Sequence, residues 1–276
     1  MLGKYFLRKF CFIVPLRNKA TANVWDQTVR LCIETLASVS RQALVPSEVI
    51  LVCSEFPDVV LPSNVTIIRS DFPNPKPNWQ DQHVDKYNKI RRGLVELKKR
   101  NHEYYVMKFD ADDLASDRLV PWVLDDDNKT GYVVTQGYRQ RGRLFELVKQ
   151  DFHNQCGSSN ILFASPDQLP DSMSDNRKFD LLSIGHDIAV ETFERRGTPL
   201  APIPFPGVVY RLGHGENITA HYTPTDDPQA KPSWKFYAGK YLNHVKALPG
   251  NLRARRLRGE YYGDQVALGQ KSRALD

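Results

Sequence analysis

Asp110, Asp112 and Asp113 place three carboxylates within four residues, directly after the apolar run Tyr104-Tyr105-Val106-Met107-Lys108-Phe109. A run of this kind reads as a buried strand, and its acidic end marks where the strand leaves the core. Neighbouring carboxylates repel one another, and burying them unpaired is costly. A hard divalent cation, Mg²⁺ or Mn²⁺, is the simplest partner that makes the cluster favourable. Such ions sit between one or two carboxylates and the phosphate oxygens of a ligand. The competing reading is an acidic turn in which Asp113 caps the next helix ahead of Leu114.

The elements that must position this cluster follow from the hydrophobic pattern. Phe10–Leu16 is an apolar strand halted by Pro15 and followed by the polar loop Arg17-Asn18-Lys19. A helical pattern runs from about Asn23 to Arg41, ended by Pro46. Glu48–Cys53 and Val65–Ile68 are two more strands, then a Pro/Asn-rich loop precedes a helix over about Gln80–Lys99. Uniformly apolar strands alternating with helices indicate a parallel sheet covered on both faces, whose ligands bind beyond the carboxyl ends of the strands. Pro15-Leu16-Arg17, Ser54-Glu55 and Asp110–Asp113 all lie at such ends. Neither a GxGxxG nor a GxxxxGK[ST] stretch is present.

The second half is mixed and loop-rich. Gly131–Tyr138 and Leu144–Val148 read as strands, and Cys156-Gly157-Ser158-Ser159-Asn160 leads into another, Ile161–Phe163. Gly185-His186-Asp187 opens a helix to about Arg195, and Phe205–Leu212 is a last strand before Gly213-His214-Gly215.

The 276 residues suit one large domain over residues 1–230 and a basic extension over 231–276. From Lys231 onward ten Lys/Arg face three Asp/Glu, a surplus that exceeds the net charge of +6 for the whole chain. A basic helical tail of this kind suits an anionic surface such as a phospholipid leaflet; the alternative is a solvated face that contacts nothing. No apolar stretch reaches the ~20 residues needed to span a bilayer. Lys4, Arg8 and Lys9 before the short run Phe10–Leu16 imitate a signal peptide, but no small-residue cleavage site follows, and the run is read as the first strand. The four cysteines lack a CxxC spacing and are expected to be reduced and buried in a cytoplasmic protein.

Taken in order, these motifs resemble the GT-A fold glycosyltransferases, and among them the family 2-like group. The likeness rests on Phe12–Asn18, Val49–Glu55, Lys86–Leu94, Lys108–Asp113, Cys156–Ser159 and Gly185–Asp187. It implies an α/β, Rossmann-like, mostly parallel sheet flanked by helices, with a nucleotide-sugar half over about 1–115 and an acceptor half over about 116–230. Asp110-Ala111-Asp112 then corresponds to the DxD motif, with Asp112 on a Mn²⁺ or Mg²⁺ that bridges the donor's phosphates. Asp110 would hold the ribose or share the metal, and Asp113 and His214 would complete the ligation. Pro15, Leu16, Arg17 and Glu55 would line the base and ribose pocket, and Lys89, with Lys86 and Arg92, would reach the same rim. Gly157, Ser158 and Ser159 would lie beside the donor sugar and the acceptor. Asp187 would be the general base of an inverting transfer, although the family's usual Glu-Asp is His186-Asp187 here.

The resemblance further implies a nucleotide-sugar donor, foremost a UDP-sugar, and a glycan or lipid-linked acceptor in polysaccharide synthesis, with no nucleic acid. It implies a cytoplasmic location with peripheral contact at the inner membrane face through the tail. Two rival readings remain: a non-catalytic scaffold that binds glycans or nucleotide-sugars, and a nucleotide-sugar pyrophosphorylase.

Overall fold

The computed structural model describes residues 8–42, 47–216 and 257–262. Strand β1 (Lys9–Pro15) is followed by α1 (Trp25–Ser40), β2 (Glu48–Cys53), β3 (Val65–Arg69), α2 (Trp79–Lys98) and β4 (Tyr104–Lys108). Next come β5 (Leu114–Ala115), α3 (Leu119–Asp126), β6 (Tyr132–Val133), β7 (Gly137–Arg141), β8 (Leu144–Val148) and β9 (Asn160–Ala164). The chain continues through α4 (Asp180–Ser183), α5 (Ala189–Arg195), β10 (Ala201–Pro202) and β11 (Val208–Leu212).

The main sheet has the order β10-β6-β9-β4-β1-β2-β3. Its pairs β3–β2, β2–β1, β1–β4 and β6–β10 are parallel, and β9 runs antiparallel to both β4 and β6. This is the mostly parallel α/β architecture expected. Alternation along β1 explains its two-sided burial. Phe10, Phe12 and Val14 face one core with Val29, Cys32, Leu36 and Val39 of α1, whereas Cys11 and Ile13 face the other with Ile90, Leu94 and Leu97 of α2. All four cysteines are free and buried.

The strand order reverses at β1, which has β2 and β3 on one side and β4 on the other. In an open parallel sheet such a reversal opens a crevice at the carboxyl ends, because successive connections leave in opposite directions. Here Ile13 lies opposite Lys108, and the Phe109 amide still donates to the Ile13 carbonyl at 2.9 Å. The loops Leu16–Asn18 and Asp110–Asp113 therefore leave the sheet side by side.

A second, four-stranded sheet, β5-β11-β7-β8, is formed by strands between Leu114 and Leu212. Gly131–Tyr138, expected as one strand, is two, with β6 in the main sheet and β7 in the second. Between them the Val134 amide bonds Ser159, while Thr135 and Gln136 accept from Phe152 and Gly207, so the chain crosses from one sheet to the other. The last strand starts at Val208 rather than Phe205, since Pro206 has no N–H for a ladder. Pro121 and Asp125–Asp127 masked α3 in the sequence, although a proline is tolerated in a first helical turn. Of the basic extension, Leu257 and Tyr261 pack on the second sheet with Tyr138, Phe145 and Val209. The remainder, including the helix expected from Trp234 onward, lies outside the described residues, as do Pro46 and the membrane contact assigned to that tail.

Helix α2 presses on β1 at Gly93, where an added Cβ would stand 2.8 Å from Ile13 Cγ2. Gly93→Leu is expected to cost about 1–3 kcal/mol through overpacking. Urea unfolding measures it, and an unchanged midpoint would show that α2 is not seated as described.

Candidate functional site

A cavity of about 220 Å³ opens at the reversal between β1 and β4, lined by Pro15, Leu16, Arg17, Lys86, Lys108, Asp110, Asp112, Gly157, His186 and Glu216 among others. Distant segments thus meet at one place, as the strand ends required.

The acidic loop is built around Asp113, which is wholly buried. Its Oδ2 accepts from Ser158 Oγ at 2.7 Å and Cys156 Sγ at 3.4 Å, and its Oδ1 accepts from the Arg211 amide at 3.2 Å. Burial, followed by repulsion from Asp112 and Asp110, pushes its carboxyl well above the usual range. With both oxygens engaged inside the protein, Asp113 holds the loop and does not line the cavity, unlike the shared metal ligand expected. Ser158 is equally internal, because the same hydroxyl accepts from the Asp110 amide at 2.8 Å. Ser159 is buried as well, and its Oγ meets no hydrogen-bond partner among the described residues. Of the three expected sugar contacts, only Gly157 reaches the cavity. A Cβ there would lie 2.8 Å from Asp110 Oδ2, so the glycine allows the backbone to pass close to that carboxylate.

Asp110 pairs with Lys86, Oδ1 to Nζ 2.5 Å. Burial raises the Asp110 carboxyl, but the pull of Lys86, then of His186 and Lys108, outweighs it and holds the group below its ordinary value. Lys108 makes no ion pair with a carboxylate among the described residues; burial and then repulsion from Lys86 pull its ammonium down to about 8. It lies 5.5 Å from the Tyr87 ring centre.

Asp112 Oδ2 lies 3.1 Å from His214 Nε2. The Glu216 amide donates to His214 Nδ1 at 3.2 Å, which leaves the ring proton on Nε2, shared between Asp112 and the Arg211 carbonyl at 3.2 Å. Ligation by Nε2 needs the other tautomer and the loss of the Glu216 bond. As placed, His214 orients Asp112. No group of three or more His, Cys, Asp or Glu side chains among the described residues is arranged to hold a metal. A Mg²⁺ or Mn²⁺ at this cavity would have Asp112 as a protein ligand and would take most of its ligands from the phosphate oxygens of a bound molecule.

Other expected residues fall into place unevenly. Arg17 lines the cavity and is fixed by Glu216 Oε2 at 3.2 Å and Gln82 Oε1 at 2.6 Å. Glu55 is exposed, 3.4 Å from Lys19, and is outside the cavity lining. Lys89, expected at the rim, is wholly buried between Asp85 at 2.6 Å and the Leu16 carbonyl at 2.9 Å. One helical turn away Lys86 takes the rim position. Asp187 is exposed in the turn before α5, which starts at Ala189 and not at Asp187. Beside it His186 lines the cavity, its Nδ1 2.5 Å from the His153 carbonyl. Burial holds the Tyr87 hydroxyl above its usual range; Lys86 opposes this, while the charges of Asp110 and Asp187 add to it. Sequence reasoning missed Lys108 and the aromatic series Trp79, His83 and Tyr87, whose four-residue spacing was its only signal.

No protein-family profile matches the chain, and no curated protein matches it either. Among solved structures it is similar to a candidate nucleotide-diphospho-sugar transferase from Desulfovibrio desulfuricans G20, with a TM-score of 0.37 and 9% identity over 87% of this chain and 97% of that one. It is also similar to a 4-diphosphocytidyl-2C-methyl-D-erythritol synthase, with a TM-score of 0.34 and 11% identity over 85% of this chain and 99% of that one.

The two lysines give a contrast. Lys89→Met leaves Asp85 buried without its cation and is expected to cost about 3 kcal/mol. Lys86→Met removes a pair with side chains 27% and 26% exposed, at the cavity rim, and is expected to cost less, about 1 kcal/mol. Chemical denaturation of both variants decides, and equal losses would contradict the assignment of one to the fold and the other to the cavity.

Proposed function

We propose that the chain is a metal-dependent glycosyltransferase that moves a sugar from a nucleotide-sugar to an acceptor hydroxyl with inversion. What supports this most is the meeting of Pro15–Arg17, Lys86, Lys108, Asp110, Asp112 and His186 in one cavity at the reversal of a parallel sheet. The nucleoside sits against Pro15, Leu16 and Arg17, and Asp110 takes the ribose side. Lys108 and Lys86 face the diphosphate. Asp112, oriented by His214, carries the Mg²⁺ or Mn²⁺, whose part when bound is to neutralise charge on the departing nucleoside diphosphate. Asp187 accepts the proton of the attacking hydroxyl; it lies outside the cavity wall, and its chain neighbour His186 lies on that wall.

Lys86 and Lys108 on the cavity wall also favour a second reading, nucleotidyl transfer to a sugar phosphate, since pyrophosphate too needs cations. Released nucleoside diphosphate marks the first reaction and released pyrophosphate the second.

Calorimetric titration with UDP, GDP and CDP, with and without Mn²⁺, tests the site directly. Metal-promoted binding of one of them is expected, weakened about tenfold or more in Asp112→Ala. Asp187→Asn is expected to keep that binding and lose about 10²–10⁴ in turnover. Binding that ignores both Mn²⁺ and Asp112 would overturn the metal assignment, and full turnover in Asp187→Asn would overturn the base.

A further inference from the structure

The first two turns of α2 carry an aromatic series that the donor site leaves unused. Trp79, His83 and Tyr87 stand at four-residue spacing, which puts them on one face of the helix. All three line the cavity. The Trp79 and His83 rings stack with centres 4.4 Å apart and planes 23° apart, and Tyr87 follows at 4.9 Å and 43°. Trp79, at 39% exposure, is one of the few large apolar side chains left open to solvent. Asn78 caps this helix end, accepting the Asp81 amide at 2.8 Å, so the series rests on a fixed turn.

We infer that Trp79, the open end of a pile of rings backed by His83 and Tyr87, is the platform on which a sugar ring of the acceptor packs. The inference rests for its direction on the transfer reading above. Three considerations favour a sugar over a nucleobase. The transfer reading seats the nucleoside at Pro15–Arg17, on the other element of the cavity. The series runs from the open Trp79 end to Tyr87 inside the cavity, whose wall also holds His186, the residue next to the proposed base Asp187. The surface is also the right kind: a flat, polarisable face that attracts the C–H edge of a pyranose without demanding a donor–acceptor pattern. His83 joins that face as a neutral ring, because burial and the nearby Lys86 disfavour its charged form. Lys108, over the Tyr87 ring, marks the end where the platform meets the phosphate side.

Saturation-transfer difference NMR on the full chain provides the test, with methyl β-glucoside, methyl β-galactoside, methyl α-mannoside and uridine as probes. In the unaltered protein at least one glycoside is expected to receive saturation on its ring C–H protons. Trp79→Ala should weaken that signal roughly five- to tenfold, and Trp79→Phe, which keeps a stacking ring, should restore most of it. Loss of the uridine signal in Trp79→Ala with the glycosides unaffected would instead make the series a base platform. Equal glycoside signals in all three proteins, or none in any, would also overturn the inference. Metal-promoted UDP binding by the unaltered protein is recorded alongside. Its absence with glycoside stacking intact would sink the donor reading alone, and its presence without stacking would sink the platform alone.

Discussion

The site depends on one buried interaction, the grip that Asp113 and Arg211 exert on the acidic loop. Asp113 binds the Arg211 amide, Ser158 and Cys156, joining the end of β4, strand β11 and the segment before β9. The Arg211 guanidinium then reaches the Asp112 carbonyl, Glu34, the Leu31 carbonyl and Thr35. A buried carboxyl and a buried guanidinium are unfavourable alone, and they are tolerated because each meets several partners. The consequence is positional. With Asp113 turned inward, the turn formed by Asp110, Ala111 and Asp112 is left to line the cavity, so the residue next to the expected metal ligands serves as their anchor.

A second long-range contact closes the same cavity from the opposite side. Helix α1 begins without a side-chain cap of its own, since Val24 occupies the cap position. The Glu216 carboxylate, far along the chain, accepts from the amides of Asn23 at 3.1 Å and Val24 at 2.8 Å. Unsatisfied amides at a helix start attract an anion, and here the anion is supplied by the loop that also carries His214. Arg17 joins the same carboxylate. Capping α1, fixing Arg17 and seating His214 against Asp112 are therefore three results of placing one loop.

The parallel half was legible because its strands are apolar on both faces, and a two-sided burial leaves a signal that few other arrangements produce. Local pattern could not give the side chains' directions. Lys86 and Lys89 differ by less than one helical turn, yet one enters the cavity and the other the core, where Asp85 is available to it. Asp113 looked like the other carboxylates because its inward partners, Ser158 and the Arg211 amide, lie 45 and 98 residues away. Gly131–Tyr138 looked like one strand because periodicity does not register a change of sheet. For Asp113 the deciding contacts are distant along the chain, whereas Lys89 is settled by Asp85 four residues before it together with the distant Leu16 carbonyl.

Charge balance in the cavity supports a divalent cation beyond the presence of acidic residues. Among the wall's positive groups, Lys86 is matched by Asp110 and Arg17 by Glu216. Lys108 donates to the Ile184 carbonyl at 3.4 Å and meets no carboxylate among the described residues, while burial and the nearby Lys86 disfavour its charge. A nucleoside diphosphate brings more than one negative charge, and Asp112 adds another. One strained ammonium cannot offset that sum in a partly desolvated cavity, where unbalanced charge is costly. A divalent ion on Asp112 brings two charges to the side that lacks them and leaves the Lys86–Asp110 pair intact. Under the proposed transfer, Lys108 would face the diphosphate on one flank and an ion on Asp112 would neutralise it on the other, with Lys86 still paired to Asp110.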